Sequence, residues 1–368
     1  MKEMQFTAMV LMAMLAVTLA LLLPRRAERD AAYAQSRWLM VGALALMALQ
    51  FLLQYIYGFR RMGVTQAVMV NLVFFIPTSV LTTLAIMGLQ RQGWLTWREW
   101  LPGFSIWALT LALLGTAALV TGDALADTIE MQRAEYAAGI AYLAMQLYYT
   151  WRIKRGNDRL ARALQNYYDR DMGDMLLWMR QSVNILSLIA LFVPFLIFSS
   201  GVLLVAYALL IFFSIYYLVF SFICYGVKGD AQLVQAAEES AIEDKVEESR
   251  GTSTLSADDK ARIEAAVDRW LAEGRHLQQG IKQPVAAQEI GIPRHQLSAW
   301  LKTTPDQLFN PWLTRLRIDE AKRQLKAHPD WQIETIAQHC GFRTANYFHE
   351  VFKKHTGLTP TEWIEQGE

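Results

Sequence analysis

The sequence predicts an all-α protein in two dissimilar parts. The first is a seven-helix transmembrane bundle; the second is a cytoplasmic helical domain with two helix-turn-helix units joined by a long helix. Three observations carry this prediction. Long apolar stretches crowd the region before Gly226, whereas all six histidines lie after it. The apolar stretches are long enough to cross a bilayer, which takes about 20 residues each. The carboxyl-terminal region instead shows short helical stripes broken at Gly291 and Gly341. The net charge of +1 carries no information, because the two parts differ so strongly.

The expected spans are approximately Met4–Leu23, Trp38–Tyr57, Ala67–Leu89, Leu101–Thr121, Glu135–Trp151, Gln181–Ser199 and Val202–Tyr225. The fifth is short and polar-tipped, and Ser199-Ser200-Gly201 separates the last two. A soluble helix buries one face, but Leu11 to Leu23 and Leu203 to Phe213 are apolar all round. Trp38, Tyr55, Tyr57, Trp94, Trp97, Trp100, Tyr148, Tyr149 and Trp151 gather at the ends, as in an interfacial aromatic belt.

Loop charge sets the expected orientation. With the amino terminus outside, the inner loops hold Arg25, Arg26, Arg29 and Arg37, then Arg91 and Arg98, then the basic run from Arg152 to Arg180. The outer segments hold only Lys2, Arg60, Arg61 and Arg133. The positive-inside rule therefore puts the carboxyl-terminal domain in the cytoplasm. Met1 to Ala34 could be read as a signal peptide ending at Ala32-Tyr33-Ala34, but its apolar run is too long and Arg25-Arg26 intervenes. It is expected to be a retained span.

The bundle is therefore assigned to residues 1–227, an acidic juxtamembrane helix and flexible linker to 228–255, and the helical domain to 256–368. The linker helix carries Glu238, Glu239, Glu243, Asp244, Glu247 and Glu248, and reads as solvated. A dimerising stripe through Leu233, Ala237, Ile242 and Val246 is too irregular for a heptad. The long inner loop, with Leu160, Ala163, Leu164, Tyr167 and Tyr168, reads as a basic amphipathic helix on the inner leaflet.

In the helical domain, Pro284 to Lys302 reads as a first helix-turn-helix. Ala287 and Ile290 precede a turn at Gly291, Pro293 takes a first helical position, and Leu297, Trp300 and Leu301 form a buried stripe. Leu308 to Ala327 is a connecting helix of about 30 Å, close to the roughly 34 Å of one DNA turn. Ile333 to Pro360 is the second unit. Ile333, Ile336 and Ala337 face Tyr347, Phe348, Val351 and Phe352; Gly341 makes the reversal, Thr344 is an N-cap, and Gly357 and Pro360 end the helix.

This run resembles the second helix-turn-helix of the AraC/XylS family of bacterial transcription regulators, through Ile336-Ala337, Gly341-Phe342, Tyr347-Phe348, Phe352-Lys353, Gly357 and Thr359-Pro360. The resemblance extends over Ser256 to Glu368 and implies double-stranded DNA as partner. The expected contact residues are Arg294, His295, Ser298 and Lys302 in the first unit. In the second they are Arg343, Thr344, Asn346, His349, Lys353 and Lys354. Asn pairs bidentately with adenine and Arg with guanine, while a helix N-terminus suits phosphate. Ala299 and Glu350 depart from the family's polar or basic pattern; Ala299 offers only an apolar contact, and Glu350 can accept from cytosine N4. Arg315, Arg317, Lys322 and Arg323 read as part of the same basic cluster, although lysine plus arginine and aspartate plus glutamate balance from Ser256 onward.

No charge lies near the centre of a span, which argues against a transporter. Gln50, Gln54, Asn71, Gln146 and Asn184 are expected to glue helices together, or alternatively to line a ligand pocket for a small-molecule signal. The signal could equally come from another membrane protein, and a homodimer is compatible with the sequence. The histidines lack metal spacing, Cys224 and Cys340 are too separated in the chain's organisation to imply a disulfide, and no nucleophile–base set or phosphate loop is present. No cofactor, metal or enzyme activity is expected. The rival reading is a membrane receptor or scaffold whose helical tail binds a protein.

Overall fold

The computed structural model describes residues 2–21, 31–91, 95–123, 127–196, 202–228, 230–249 and 255–366. Among these residues the regular structure is entirely helical. Arg25, Arg26 and Arg29, the Ser199-Ser200-Gly201 break and the expected linker residues 250–254 lie outside the described residues. The chain forms two compact units. One is Met1–Asp158 with Met175–Leu233, and the other is Arg159–Asp174 with Val234–Glu368.

The first unit contains α1 (Lys2–Leu21), α2 (Ala31–Tyr57), the short α3 (Phe59–Met62), α4 (Val64–Gln90) and α5 (Trp97–Thr121). It continues with α6 (Ile129–Tyr167) as far as Asp158, then α7 (Leu177–Leu196) and α8 (Val202–Lys228). Among the described residues, six stretches are long and apolar enough to cross a membrane: α1, α2, α4, α5, Gly173–Val193 and α8 from Val205 onward. The expected fifth span does not join them. It lies inside α6, a helix of 39 residues whose apolar run is flanked by Glu130, Arg133 and Glu135 on one side and Arg152, Lys154 and Arg155 on the other. α4 is the most enclosed of the six apolar stretches.

Several polar groups in this unit find partners across helices. The Tyr149 hydroxyl donates to the Glu99 carbonyl at 2.7 Å and accepts from the Gly103 amide at 3.0 Å. A Cβ on Gly103 would meet Val80 at 2.6 Å, so the glycine permits the close approach of α5 to α4. Tyr33 donates to the Phe222 carbonyl at 3.0 Å and stacks on the Phe222 ring, joining α2 to α8.

The second unit contains the end of α6, then α9 (Asp230–Ser249) from Val234, α10 (Ala257–Ala272), α11 (Gln283–Ile290), α12 (Arg294–Leu301) and α13 (Phe309–Ala327). It closes with α14 (Ile333–His339), α15 (Ala345–Thr356) and α16 (Pro360–Glu365). Ser256 caps α10, its hydroxyl accepting from the Asp259 amide at 3.0 Å, and Ile263, Ala266, Val267 and Trp270 form the buried i, i+3, i+4, i+7 stripe. That stripe packs with Ala287, Ile290, Leu297, Leu301, Phe309, Trp312 and Leu313 in one core. A second core joins Ile318, Ala321 and Leu325 to Ile336, Ala337, Cys340, Phe342, Phe348, Val351 and Phe352. α13 therefore serves both cores, its first half one and its second half the other.

The two turns resemble each other in φ and differ in surroundings. Gly291 and Gly341 both have φ near +83° (83° and 82°), where a Cβ is strained. A Cβ at Gly291 would meet nothing within 4 Å, whereas at Gly341 it would lie 2.5 Å from the Leu277 carbonyl oxygen and 2.9 Å from Arg317 Nε. Pro293 stands one place earlier than its sequence suggests. It is the N-cap of α12, with an extended ψ of 142°, rather than the first helical residue. Gly291→Ala should cost about 1–2 kcal/mol, the left-handed penalty alone. Gly341→Ala should cost roughly 1–3 kcal/mol more, because backbone must move. Hydrogen exchange across residues 333–356 checks this, and equal protection in the two variants would contradict it.

Candidate nucleic-acid interface

α15 is built to present a polar face. Phe348, Val351 and Phe352 are buried against α13 and α14, and the Thr344 hydroxyl caps the helix by accepting from the Tyr347 amide at 3.3 Å. The apolar face fixes the rotation of the helix, so the remaining positions point outward. Arg343, Thr344, Asn346, Glu350, Lys353 and Lys354 are exposed, and His349 is half-buried. The six residues expected here thus share one accessible surface around the helix N-terminus and its outer side.

The first unit differs. α12 buries Leu297, Trp300 and Leu301 as expected, but its outer face is not free. Asp244 of α9 lies 2.8 Å from an Arg294 guanidinium nitrogen, and Glu243 lies 3.3 Å from the same nitrogen. The Ser298 hydroxyl donates to Asp244 at 3.0 Å and accepts from Gln283 Nε2 at 2.8 Å. Ser298 is only 6% exposed and is buried rather than open. His295 is half-buried and Lys302 exposed. Burial pushes the Asp244 carboxyl up from its ordinary value, with Arg294 and Ser298 opposing. α9 is accordingly not a solvated helix. Val234, Ala237 and Ser240 are buried along the face that carries Asp244, while Ile242 and Val246 of the suggested dimerising stripe are exposed.

Sequence reasoning also misplaced Arg317. It is 2% exposed and belongs to the frame, not to a basic surface. Its Nε donates to the His276 carbonyl at 3.0 Å and its Nη1 to Asp169 at 3.1 Å, and a third nitrogen donates to the Gln278 carbonyl. Asp169 also accepts from the Gly280 amide at 2.8 Å. Burial presses the guanidinium down from its ordinary value, and Asp169 opposes this. Its spacing was the available signal: Leu313, Arg317 and Ala321 form one i, i+4, i+8 stripe.

The segment Arg159–Asp174 is the second surprise. Leu160, Ala163 and Leu164, expected to face lipid, are covered by protein. Lys282 lies over the Tyr167 and Tyr168 rings at 5.5 and 5.7 Å, and the Asp171 amide donates to the Tyr347 hydroxyl at 3.0 Å. Arg315 pairs with Asp306 at 2.8 Å, so it too is partly engaged.

Of the polar residues in the apolar unit, Asn71 Oδ1 accepts from Gln50 at 2.7 Å and from Gln54 at 2.5 Å. Gln54 accepts from Gln5 at 3.0 Å, and Gln146 accepts from Ser79 at 2.8 Å. Asn184 is exposed. None of the five lines the apolar cavity of about 80 Å³ bounded by Met40, Met47, Phe75, Tyr142, Ser182 and Tyr207. The described residues contain no group of three or more metal-ligating side chains.

Comparison with known proteins covers part of the chain. Residues 286–366 match a helix-turn-helix domain family. Regulatory protein PocR of Salmonella typhimurium is 31% identical over 91 residues, 25% of this chain and 30% of that protein. The transcriptional activator RhaS of Yersinia pestis is 29% identical over 118 residues, 32% of this chain and 42% of that protein. The carboxyl-terminal domain is of the AraC type. An uncharacterized transcriptional regulatory protein, YesN of Bacillus subtilis, is 38% identical over 68 residues, 18% of each chain. This chain spans less than half the length of each of these relatives. No solved structure matches it.

The AraC-type domain also has a built-in acid sensitivity. Burial holds the His276 imidazole below its ordinary value, Glu320 opposing and Arg317 and Arg323 reinforcing. His355 is lowered too, by burial and then by Lys354. A depressed histidine is neutral when folded and takes up a proton on unfolding, so stability is complete above about pH 6.5 and falls as pH drops below it. The protection factors of residues 257–365, with the intrinsic pH dependence of exchange divided out, should fall between about pH 7 and pH 5. His276→Gln should remove part of that dependence; an unchanged profile would contradict the assignment.

Proposed function

We propose that the chain is a membrane-embedded transcription regulator that binds DNA sequence-specifically through its AraC-type domain. In this reading the apolar helices anchor the protein or sense a signal. The observation that carries it is the outer face of α15, where Asn346, Lys353 and Lys354 are exposed on a helix whose opposite face is locked into the core, with exposed Arg343 just before its cap. Asn346 and His349 reach base edges in the major groove, and Arg343 stands at the entrance, where guanine O6 and N7 are its natural acceptors. Thr344 and the first amides of α15 receive a phosphate oxygen, and Lys353 and Lys354 neutralise phosphates further along. α13 sets the separation of the two units. Its 19 residues measure about 28 Å, near enough to one DNA turn for both units to enter successive major grooves.

The regulatory names of PocR and RhaS support this reading for the AraC-type domain. The six long apolar stretches support a multi-span inner-membrane protein; with the apolar run inside α6 counted as a seventh crossing, the loop charges favour that domain in the cytoplasm. The bilayer is then a partner alongside DNA. A signal entering the bundle, from a small molecule or another membrane protein, would shift populations of the DNA-binding state, and pairing of two copies would multiply the contact.

The test uses the full chain in lipid nanodiscs and DNA from its own upstream region. Asn346→Ala should weaken specific binding by about 1–3 kcal/mol and relax the preference at one base pair. Lys353→Ala with Lys354→Ala should weaken all sequences alike and lower the salt slope by about 2. Absence of any sequence-specific complex at low salt, or a carboxyl-terminal reporter active only outside the cytoplasm, would overturn the proposal.

A further inference from the structure

α12 and α15 are the two helices that would read DNA, yet they meet different neighbours. The outer side of α15 is open. On α12, Arg294 and Ser298 are occupied by Asp244 of the acidic helix α9, with Glu243 alongside. The contact uses the chemistry that DNA would use. A carboxylate oxygen stands 2.8 Å from the Arg294 guanidinium, where a phosphate oxygen or a guanine acceptor would stand. A second oxygen of Asp244 takes the Ser298 hydroxyl at 3.0 Å. The two occupants exclude each other, because Arg294 and Ser298 cannot serve Asp244 and the DNA together and two like-charged groups cannot share the pocket. Val234, Ala237 and Ser240 are buried on the same face of the helix.

The geometry points to α9 as an intramolecular competitor of DNA at the first reading helix, leaving the second helix free. This rests on the DNA-binding reading above and supplies the regulation of that same site. With α9 docked, the chain touches DNA through α15 alone and protects one half-site. With α9 displaced, α12 enters the adjacent major groove and both half-sites are protected. The apparent affinity for a full site is scaled down by the fraction of molecules in which α12 is uncovered. A signal that withdraws α9 therefore strengthens binding without altering any residue that touches a base. Removing charge from α9 does the same, because the attraction to Arg294 is lost while the DNA-facing residues are kept.

The experiment uses the full chain in lipid nanodiscs with DNA from its own upstream region. Uncovering is read first, without DNA, as the maleimide labelling rate of Ser298→Cys in a Cys224→Ser background. The remaining thiol, Cys340, is fully buried and pushed up to about 12, so it stays silent. Labelling should be slow with α9 unaltered and at least ~10-fold faster once Glu243→Gln and Asp244→Asn are added. The same pair of substitutions in the natural background should tighten full-site binding by ~10-fold or more and extend the hydroxyl-radical footprint from one half-site to two. Arg294→Ala should cancel that gain. Fast labelling with α9 unaltered would overturn the inference, as would an unchanged footprint and affinity after neutralisation, provided that Asn346→Ala still weakens specific binding. If no form binds DNA and Asn346→Ala has no effect, it is the DNA-binding reading itself that fails.

Discussion

The AraC-type domain depends on one buried cation. Arg317 lies on α13 between the residues that feed the first core and those that feed the second. A charge taken out of water is costly unless it is paired and its hydrogen-bond positions are filled. Here the guanidinium satisfies that demand with Asp169 and with the carbonyls of His276 and Gln278. The loop around residues 276–280 is thereby fastened to α13, and Gln279 reaches from it to the Phe342 carbonyl at the turn of the second unit. A lysine could not reproduce this arrangement, since its ammonium is a point donor and the three acceptors need a planar fork. The relative placement of the two helix-turn-helix units is thus fixed by α13 together with a polar fastening at its middle.

That fastening also explains why flanking segments belong to the same unit as the helix-turn-helix motifs. Asp169 comes from the stretch that follows α6, and Asp244 from α9, yet both are bound to arginines of the AraC-type domain. The two pairs differ in consequence. The Arg317 pair is internal and positions backbone, whereas the Arg294 pair lies on the face that would meet DNA. Exposed ion pairs contribute little on their own. The Arg294 pair gains from its half-buried setting.

Much of this was legible in the sequence, for identifiable reasons. The apolar stretches, the two turns at Gly291 and Gly341, the Thr344 cap and the stripes of α12 and α15 are local patterns, set by helical periodicity and by the conformations that glycine and threonine favour. The boundaries of α13 followed for the same reason. Three features were not legible. Arg317 was counted as surface because charge usually implies exposure, although its place in the Leu313 and Ala321 stripe pointed inward. The acidic α9 was read as solvated, because nothing in a run of glutamates names the arginine it will meet. The apolar side of residues 160–164 was assigned to lipid, since pattern alone cannot distinguish a lipid surface from a protein one.

α4 has a consequence of a different kind. Its side chains are mostly enclosed by protein, while α1, α5 and α8 expose much of theirs. A helix facing acyl chains tolerates almost any oily residue, because fluid chains adapt to its shape. A helix enclosed by its neighbours must match fixed contours on every side, including Gln50 and Gln54 at Asn71 and Gln146 at Ser79. Among equally hydrophobic segments, α4 is therefore the one whose wording matters letter by letter, and drift over evolutionary time should be slowest there.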